Sequence, residues 1–179
     1  MYQPPYKLNT EILNLNAEIS ALMERFVIRL GKDDGLKLRK ANRVKSIRSS
    51  LAIEGNSLSE SVVSDIINGK RVVAPAQEIL EVKNALATYE MYSKLNAFSV
   101  KDLLKAHKTM MQGITPDAGS FRNCAEGVFK GKKCIHLAPP PRMVPQLMDN
   151  LFGWLKTSKE HLLVRSCVFH YEFEFIHPF

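Results

Sequence analysis

The sequence predicts a mainly α fold carrying one small β-hairpin, and three observations lead there. Apolar residues recur every three or four positions in seven separate segments, the helical period. Strand-like alternation is confined to residues 124–137. The composition, 45% hydrophobic and 24% charged with nine Gly and nine Pro, is that of an ordinary globular protein. At 179 residues, roughly two thirds of the unfolded surface can be buried in one compact unit without disulfide or metal staples.

The first helix is expected between Asn9 and Gly31, with Ile12, Leu15, Ile19, Leu22, Met23, Phe26, Val27 and Leu30 on one face and Gly31 as the stop. A second runs from about Leu36 to Ile53, placing Leu38, Ala41, Val44, Ile47 and Leu51 inward and its Lys and Arg residues outward. Ser59 can cap a short third helix bearing Val62, Val63, Ile66 and Ile67, which Asn68-Gly69 ends. Pro75 opens a fourth, with Ile79, Val82, Leu86 and Tyr89 on one side. Ser99-Val-Lys-Asp102 reads as a capping box for a fifth, through Leu103, Leu104, His107 and Met111 to Gly113.

From Ile114 to Pro141 the pattern becomes irregular. A hairpin is expected there, Cys124 to Phe129 against Lys133 to Leu137, turned by Lys130-Gly-Lys. Two helices should follow, one with Val144, Leu147, Met148, Leu151 and Leu155, the other with Leu162, Leu163, Ser166, Cys167, Phe169 and Phe173. The last must stop near Ile176, because Pro178 disfavours the α conformation at His177 and leaves that histidine on a turn beyond the helix.

The net charge of +7 can attract polyanions or acidic surfaces without choosing among them. Basic residues cluster at Lys37, Arg39, Lys40, Arg43, Lys45 and Arg48 and again at Lys130, Lys132 and Lys133. The aromatic interleaving of a single-strand platform is lacking, so solvated faces are the plain reading and nucleic acid is not favoured. Cys124, Cys134 and Cys167 are odd in number and form no Cys-x-x-Cys pair, which fits reduced thiols. No apolar run reaches the roughly 20 residues of a membrane span, and Met1 to Tyr6 does not resemble a targeting peptide. The expectation is a cytoplasmic protein with no membrane partner.

Three stretches could carry chemistry. In His170-Tyr-Glu-Phe-Glu174-Phe-Ile-His177-Pro178-Phe179, the spacing of His170, Glu174 and His177 would suit zinc on an unbroken helix, but the proline takes His177 off that register. A histidine held on such a turn can serve as a general base; by residue type alone, a structural cap of the helix end is the commoner role. Ser49-Ser50-Leu-Ala-Ile-Glu54-Gly55-Asn56 reads plainly as a helix end. Gly119-Ser-Phe121-Arg122, with the hairpin and His136-Leu-Ala-Pro-Pro-Pro141, forms a long irregular insertion, a feature more often functional than idle.

Together and in this order, these stretches resemble the Fic family of protein AMP transferases, also called Fido proteins. The family's central motif, His-Pro-Phe-x-Asp/Glu-Gly-Asn-Gly-Arg-x-x-Arg, is matched in its opening by His177-Pro178-Phe179. The preceding His-x-x-Phe-Glu-x-Ile is matched from His170 to Ile176, Gly-x-Phe/Tyr-Arg from Gly119 to Arg122, and the end of the flap from His136 to Pro141. Ser50-x-x-x-Glu54-Gly55 is similar to the family's inhibitory motif. The likeness covers roughly Arg43 to Phe179 and implies a Fic-type helical bundle. It divides the chain into an N-terminal helical region, 1–94, carrying the inhibitory helix, and a Fic core, 95–179.

The resemblance implies AMP transfer from ATP, with Mg²⁺, to a Tyr, Thr or Ser hydroxyl of a target protein. His177 would accept the hydroxyl proton, supported by His170, Pro178 and an inward Phe179. The flap, Val128, Phe129, Lys130, Gly131, Lys132, Lys133, Cys134 and Ile135, would align the target by strand addition. Glu54 would inhibit by competing with the ATP γ-phosphate for an arginine of the central motif. The sequence ends at Phe179, inside that motif. The Asp/Glu, Gly-Asn-Gly and arginines are therefore absent from it, no metal ligand is identified, and the final part of the core is expected to be missing and this piece inactive. Phe169, Phe173, Phe175 and Ile176 would then be exposed, and the patch would favour a homodimer. A non-catalytic regulatory or interaction module of Fic type is the alternative, and transfer of another group stays open.

Overall fold

A computed structural model of the chain describes residues 2–29 and 32–179, with side chains described outside residues 32–41. Seven α-helices and one hairpin follow in order: α1 Thr10–Arg29, α2 Lys32–Ile53, α3 Glu60–Ile67, α4 Ala76–Met91, α5 Val100–Met111, β1 Gly127–Lys130, β2 Lys133–Leu137, α6 Val144–Thr157 and α7 Leu162–Ile176. The mainly α architecture with one antiparallel hairpin is the expected one. Leu30 and the stop at Gly31 lie outside the described residues, as do the side chains of Leu38, Ala41, Lys37, Arg39 and Lys40. No described helix is long and apolar enough to cross a membrane.

The chain divides into two compact units, and neither is continuous in sequence. Residues 1–22, 96–104 and 120–179 form one, and residues 23–95 and 105–119 the other. This differs from a cut after residue 94 in that residues 1–22 group with the C-terminal part and residues 105–119 with the N-terminal part.

The second unit packs Val44 and Ile47 of α2, Val63 and Ile66 of α3, and Val82 and Ala85 of α4 around one core. The residues at α3 and α4 are those that helical spacing selects, except that Ala85 joins the core and Tyr89 is exposed. Ser59 caps α3, its hydroxyl accepting the Val62 N–H at 3.3 Å. At α5 the capping box is half made. Ser99 accepts the Asp102 N–H at 3.2 Å, but the Asp102 carboxylate takes the Asn96 N–H at 2.7 Å, since it is one methylene shorter than the usual glutamate. Nearby, Nδ1 of His107 accepts the Gly119 N–H at 3.1 Å.

The first unit is built on α6, where Val144, Met148, Leu151, Phe152 and Trp154 are buried and Ile176 of α7 joins them. Tyr6 meets Trp154 edge-on at 6.1 Å, and Phe152 meets Phe169 edge-on at 5.3 Å. The helix expected from Asn9 is formed as α1, but its apolar stripe is largely uncovered. Leu15, Ile19, Leu22, Met23, Phe26 and Val27 are all exposed, and Ile12 is half-buried. Helical spacing collects such residues on one side but does not supply a partner for it. On α7, Leu162 and Cys167 of the expected stripe are likewise exposed, Phe169 and Phe173 of that stripe pack on the α6 cluster, and Val164 and Glu172 are buried as well.

Burial pushes the His107 imidazole below its ordinary value of 6.5. The unfolded chain then binds more protons than the folded one between the depressed folded value and 6.5. This histidine's contribution to stability is fully present above about pH 6.5 and is lost as pH falls through the folded value. We expect the urea midpoint to drop between about pH 7.5 and about pH 5.5, and to drop less in His107→Gln, which keeps an acceptor without the titration.

Candidate active site

The chemistry of this site starts with how α7 ends. A helix leaves its last four carbonyls without intrahelical partners, and here Pro178 prevents a further turn from supplying them. His177 closes α7 in the left-handed conformation, φ 50° and ψ 66°, with its N–H donating to Phe173 O at 2.9 Å. It is the sole non-glycine residue with positive φ among the described residues, a conformation that costs about 1 kcal/mol or more outside glycine.

Arg122 holds that turn. Its side chain is 8% exposed, and its guanidinium donates to four backbone carbonyls. Nε reaches His177 O at 2.5 Å, one terminal nitrogen reaches Cys124 O at 2.7 Å, and the other reaches Pro139 O at 2.6 Å and Ile176 O at 3.2 Å. The Arg122 backbone N–H adds Pro178 O at 2.9 Å. The positive charge sits among carbonyl oxygens at the negative end of the α7 dipole, which compensates its burial without a carboxylate. Because Cys124 O is committed to Arg122, β1 begins at Gly127 and not at Cys124 as alternation suggested.

Phe179 packs against Phe121 at 5.8 Å and Phe173 at 6.1 Å between ring centres, so the Pro-Phe pair lies inward. The expected apolar patch on α7 is not formed. Ile176 is 2% exposed, Phe169 and Phe173 are half-buried against α6 and Phe179, and only Phe175 of the four is exposed. Glu172, one turn earlier and 6% exposed, accepts a short hydrogen bond from the Tyr2 hydroxyl. Burial first, and then this carboxylate, push the Tyr2 phenol well above the usual tyrosine range.

A recess of about 100 Å³ adjoins the turn, lined by Phe173, Glu174, His177, Pro178 and Phe179. It has room for a reacting group, whereas whole small-molecule sites run to roughly 300–1,000 Å³. His170 lies on α7, exposed, 3.9 Å from the Glu174 carboxylate. Among the described residues no three His, Cys, Asp or Glu side chains gather so as to hold a cation.

The hairpin turns at Gly131, whose φ of 60° at the first loop position suits a two-residue type II′ connection. Val128, Phe129, Lys130, Gly131, Lys132, Lys133, Cys134 and Ile135 are all exposed. The Cys124 thiol donates to Glu126 at 3.2 Å, a bond that pushes its pKa up.

Ser50, Glu54 and Gly55 lie in the other unit. α2 ends there in a Schellman motif: the Asn56 N–H reaches Leu51 O at 3.0 Å, the Gly55 N–H reaches Ala52 O at 3.2 Å, and Gly55 takes φ 92°. Asn56 then donates to Glu81 at 2.8 Å, and the Ser57 N–H to Glu78 at 2.6 Å, which ties the turn to α4. Glu54 is exposed at the helix C-terminus, where a carboxylate opposes the dipole and does nothing to stabilise the helix.

The profile of the Fic/DOC family matches residues 97–179, the stretch containing Arg122, the hairpin and the His177 turn. A Fic family protein from Desulfovibrio desulfuricans G20 superimposes with a TM-score of 0.91 at 46% identity, over 99% of this chain and 55% of its own. A Fic-domain signaling protein from Bacteroides thetaiotaomicron VPI-5482 gives 0.73 at 16% identity, over 84% of this chain and 61% of its own, which bears on the fold alone. A probable protein adenylyltransferase of Aquifex aeolicus is 24% identical over 162 residues, 90% of this chain and 46% of that protein. The chain thus spans about half the length of the Desulfovibrio and Aquifex relatives, and its architecture is the Fic fold.

Arg122→Ala would leave four carbonyls without their donor. A loss of about 3 kcal/mol or more in urea unfolding is expected, with Arg122→Lys recovering part of it because an ammonium cannot span the same fork.

Proposed function

We propose that this chain carries the general base of a protein adenylyltransferase. The observation that carries the reading is the placement of His177. A Fic/DOC-family histidine stands on a turn fixed from below by Arg122, beside a recess with room for a reacting group. In the reaction, a target hydroxyl attacks the α-phosphorus of ATP. Its proton passes to a ring nitrogen of His177, the new O–P bond forms, and pyrophosphate leaves. Preorganisation of the imidazole is this chain's contribution, since Arg122 fixes the turn through His177 O and Ile176 O.

The exposed hairpin would receive the target segment as an added strand, which demands extended backbone more than particular side chains. Glu54 would act as an inhibitor. Its carboxylate is exposed on a rigid turn and forms no ion pair among the described residues, so it is available to a guanidinium that would otherwise hold phosphate. The similarity to a probable protein adenylyltransferase supports the same reaction class.

The test uses the full-length protein with ATP labelled in its α-phosphate and Mg²⁺. Label should appear on protein hydroxyls, fall by about 100-fold or more in His177→Ala, and rise by about tenfold or more in Glu54→Gly. Equal labelling by wild type and His177→Ala would overturn the assignment of the base. Equal labelling by wild type and Glu54→Gly, with ATP bound, would overturn the inhibitory role.

A further inference from the structure

Three of the last carbonyls of α7 and its turn are taken by Arg122, but a fourth is not. Phe175 O, two residues before His177, meets Nε2 of His136 at 2.8 Å. A carbonyl can only accept, so Nε2 is the donor, and both the Nε2–H neutral ring and the cation satisfy that bond. The His136 ring also lies against the Phe175 ring, 4.8 Å between centres and tilted by 47°.

His136 belongs to the hairpin. Along β2 it is the one residue that is not exposed. The ladder explains how it turns inward. Val128 pairs with His136 and Phe129 with Cys134, leaving Ile135 as an extra residue on β2. A bulge of this kind bends its strand and re-aims the side chains that follow. A two-stranded hairpin without further packing is marginal in water, and every other β2 side chain here points to solvent. Below the strands, the Ala138 N–H closes on Glu126 O at 3.0 Å, and Pro139 O is held by Arg122. Within the strands, the link to α7 runs through His136.

We propose that His136 is a positioning residue that fastens the flap to the turn carrying His177, so that hairpin and imidazole move as one piece. Resting on the transfer reading above, this makes His136 the side chain that sets how far a strand-paired target hydroxyl lies from the base. The bulge at Ile135 is the feature that permits it.

Two measurements on the full-length protein test this, with His136→Ala and with His136→Gln, whose amide can supply an N–H at similar reach. Amide hydrogen exchange at residues 127–137 should quicken by about tenfold in the alanine variant while residues 144–157 stay unchanged, and the glutamine variant should return to within about twofold of wild type. In transfer assays the alanine variant should raise KM for the target protein by about tenfold and leave KM for ATP unchanged. Unchanged hairpin exchange in His136→Ala would overturn the proposal, as would failure of glutamine to rescue or an equal rise in both KM values. If wild type transfers no label, the reading as an adenylyltransferase falls, and the exchange result still decides whether His136 fastens the hairpin.

Discussion

One buried guanidinium governs the arrangement of the first unit. Arg122 gathers four carbonyls from three stretches of the chain: the end of α7 with the His177 turn, its own following loop and the proline run after the hairpin. Each of those carbonyls would otherwise be a polar group without a partner in a partly buried setting, where the penalty per group is on the order of 1–3 kcal/mol. The planar fork suits this task because its donors point in fixed directions, whereas an ammonium would meet one or two acceptors and leave the others. The left-handed His177, the late start of β1 and the inward packing of Phe179 all follow from what the fork demands.

This also explains why the proline matters. An ordinary helix end frays, and its last residues sample several conformations. Pro178 stops α7 abruptly, and Arg122 and His136 take up the carbonyls that the stop exposes. Stored strain at His177 is thereby over-determined by its surroundings, the condition under which strained residues persist at functional sites.

Much of this was legible in the residues, and the remainder has definite reasons. Helix positions followed from apolar period, and His177 beyond the helix followed from the ring of Pro178. The Arg122 contacts were not legible, although the Gly-Ser-Phe-Arg element was conspicuous, because a side chain that binds main-chain carbonyls leaves no complementary residue type to find. Glu172 was hidden for the opposite reason: its partner, Tyr2, is 170 residues away, and one acid in an apolar helix resembles any solvated one. The exposure of the stripe on α1 was not legible, since periodicity reports which residues share a side and is silent on what lies opposite. The bulge at Ile135 was invisible because alternation alone assigns His136 a face without the register of the opposing strand.

The Tyr2 to Glu172 bond has a further meaning for a chain made from one end. Residues 2–8 leave the ribosome long before α6 and α7, yet Tyr2 and Tyr6 find their partners on those helices, which emerge more than a hundred residues later. Synthesis at roughly 5–20 residues per second leaves that opening segment waiting on the order of ten seconds, with two aromatic rings uncovered. The first unit can therefore close only late, whereas α2, α3 and α4 can pack as soon as they appear. Nascent protein should pass through a stage in which the Glu54 turn is already built and the His177 turn is not.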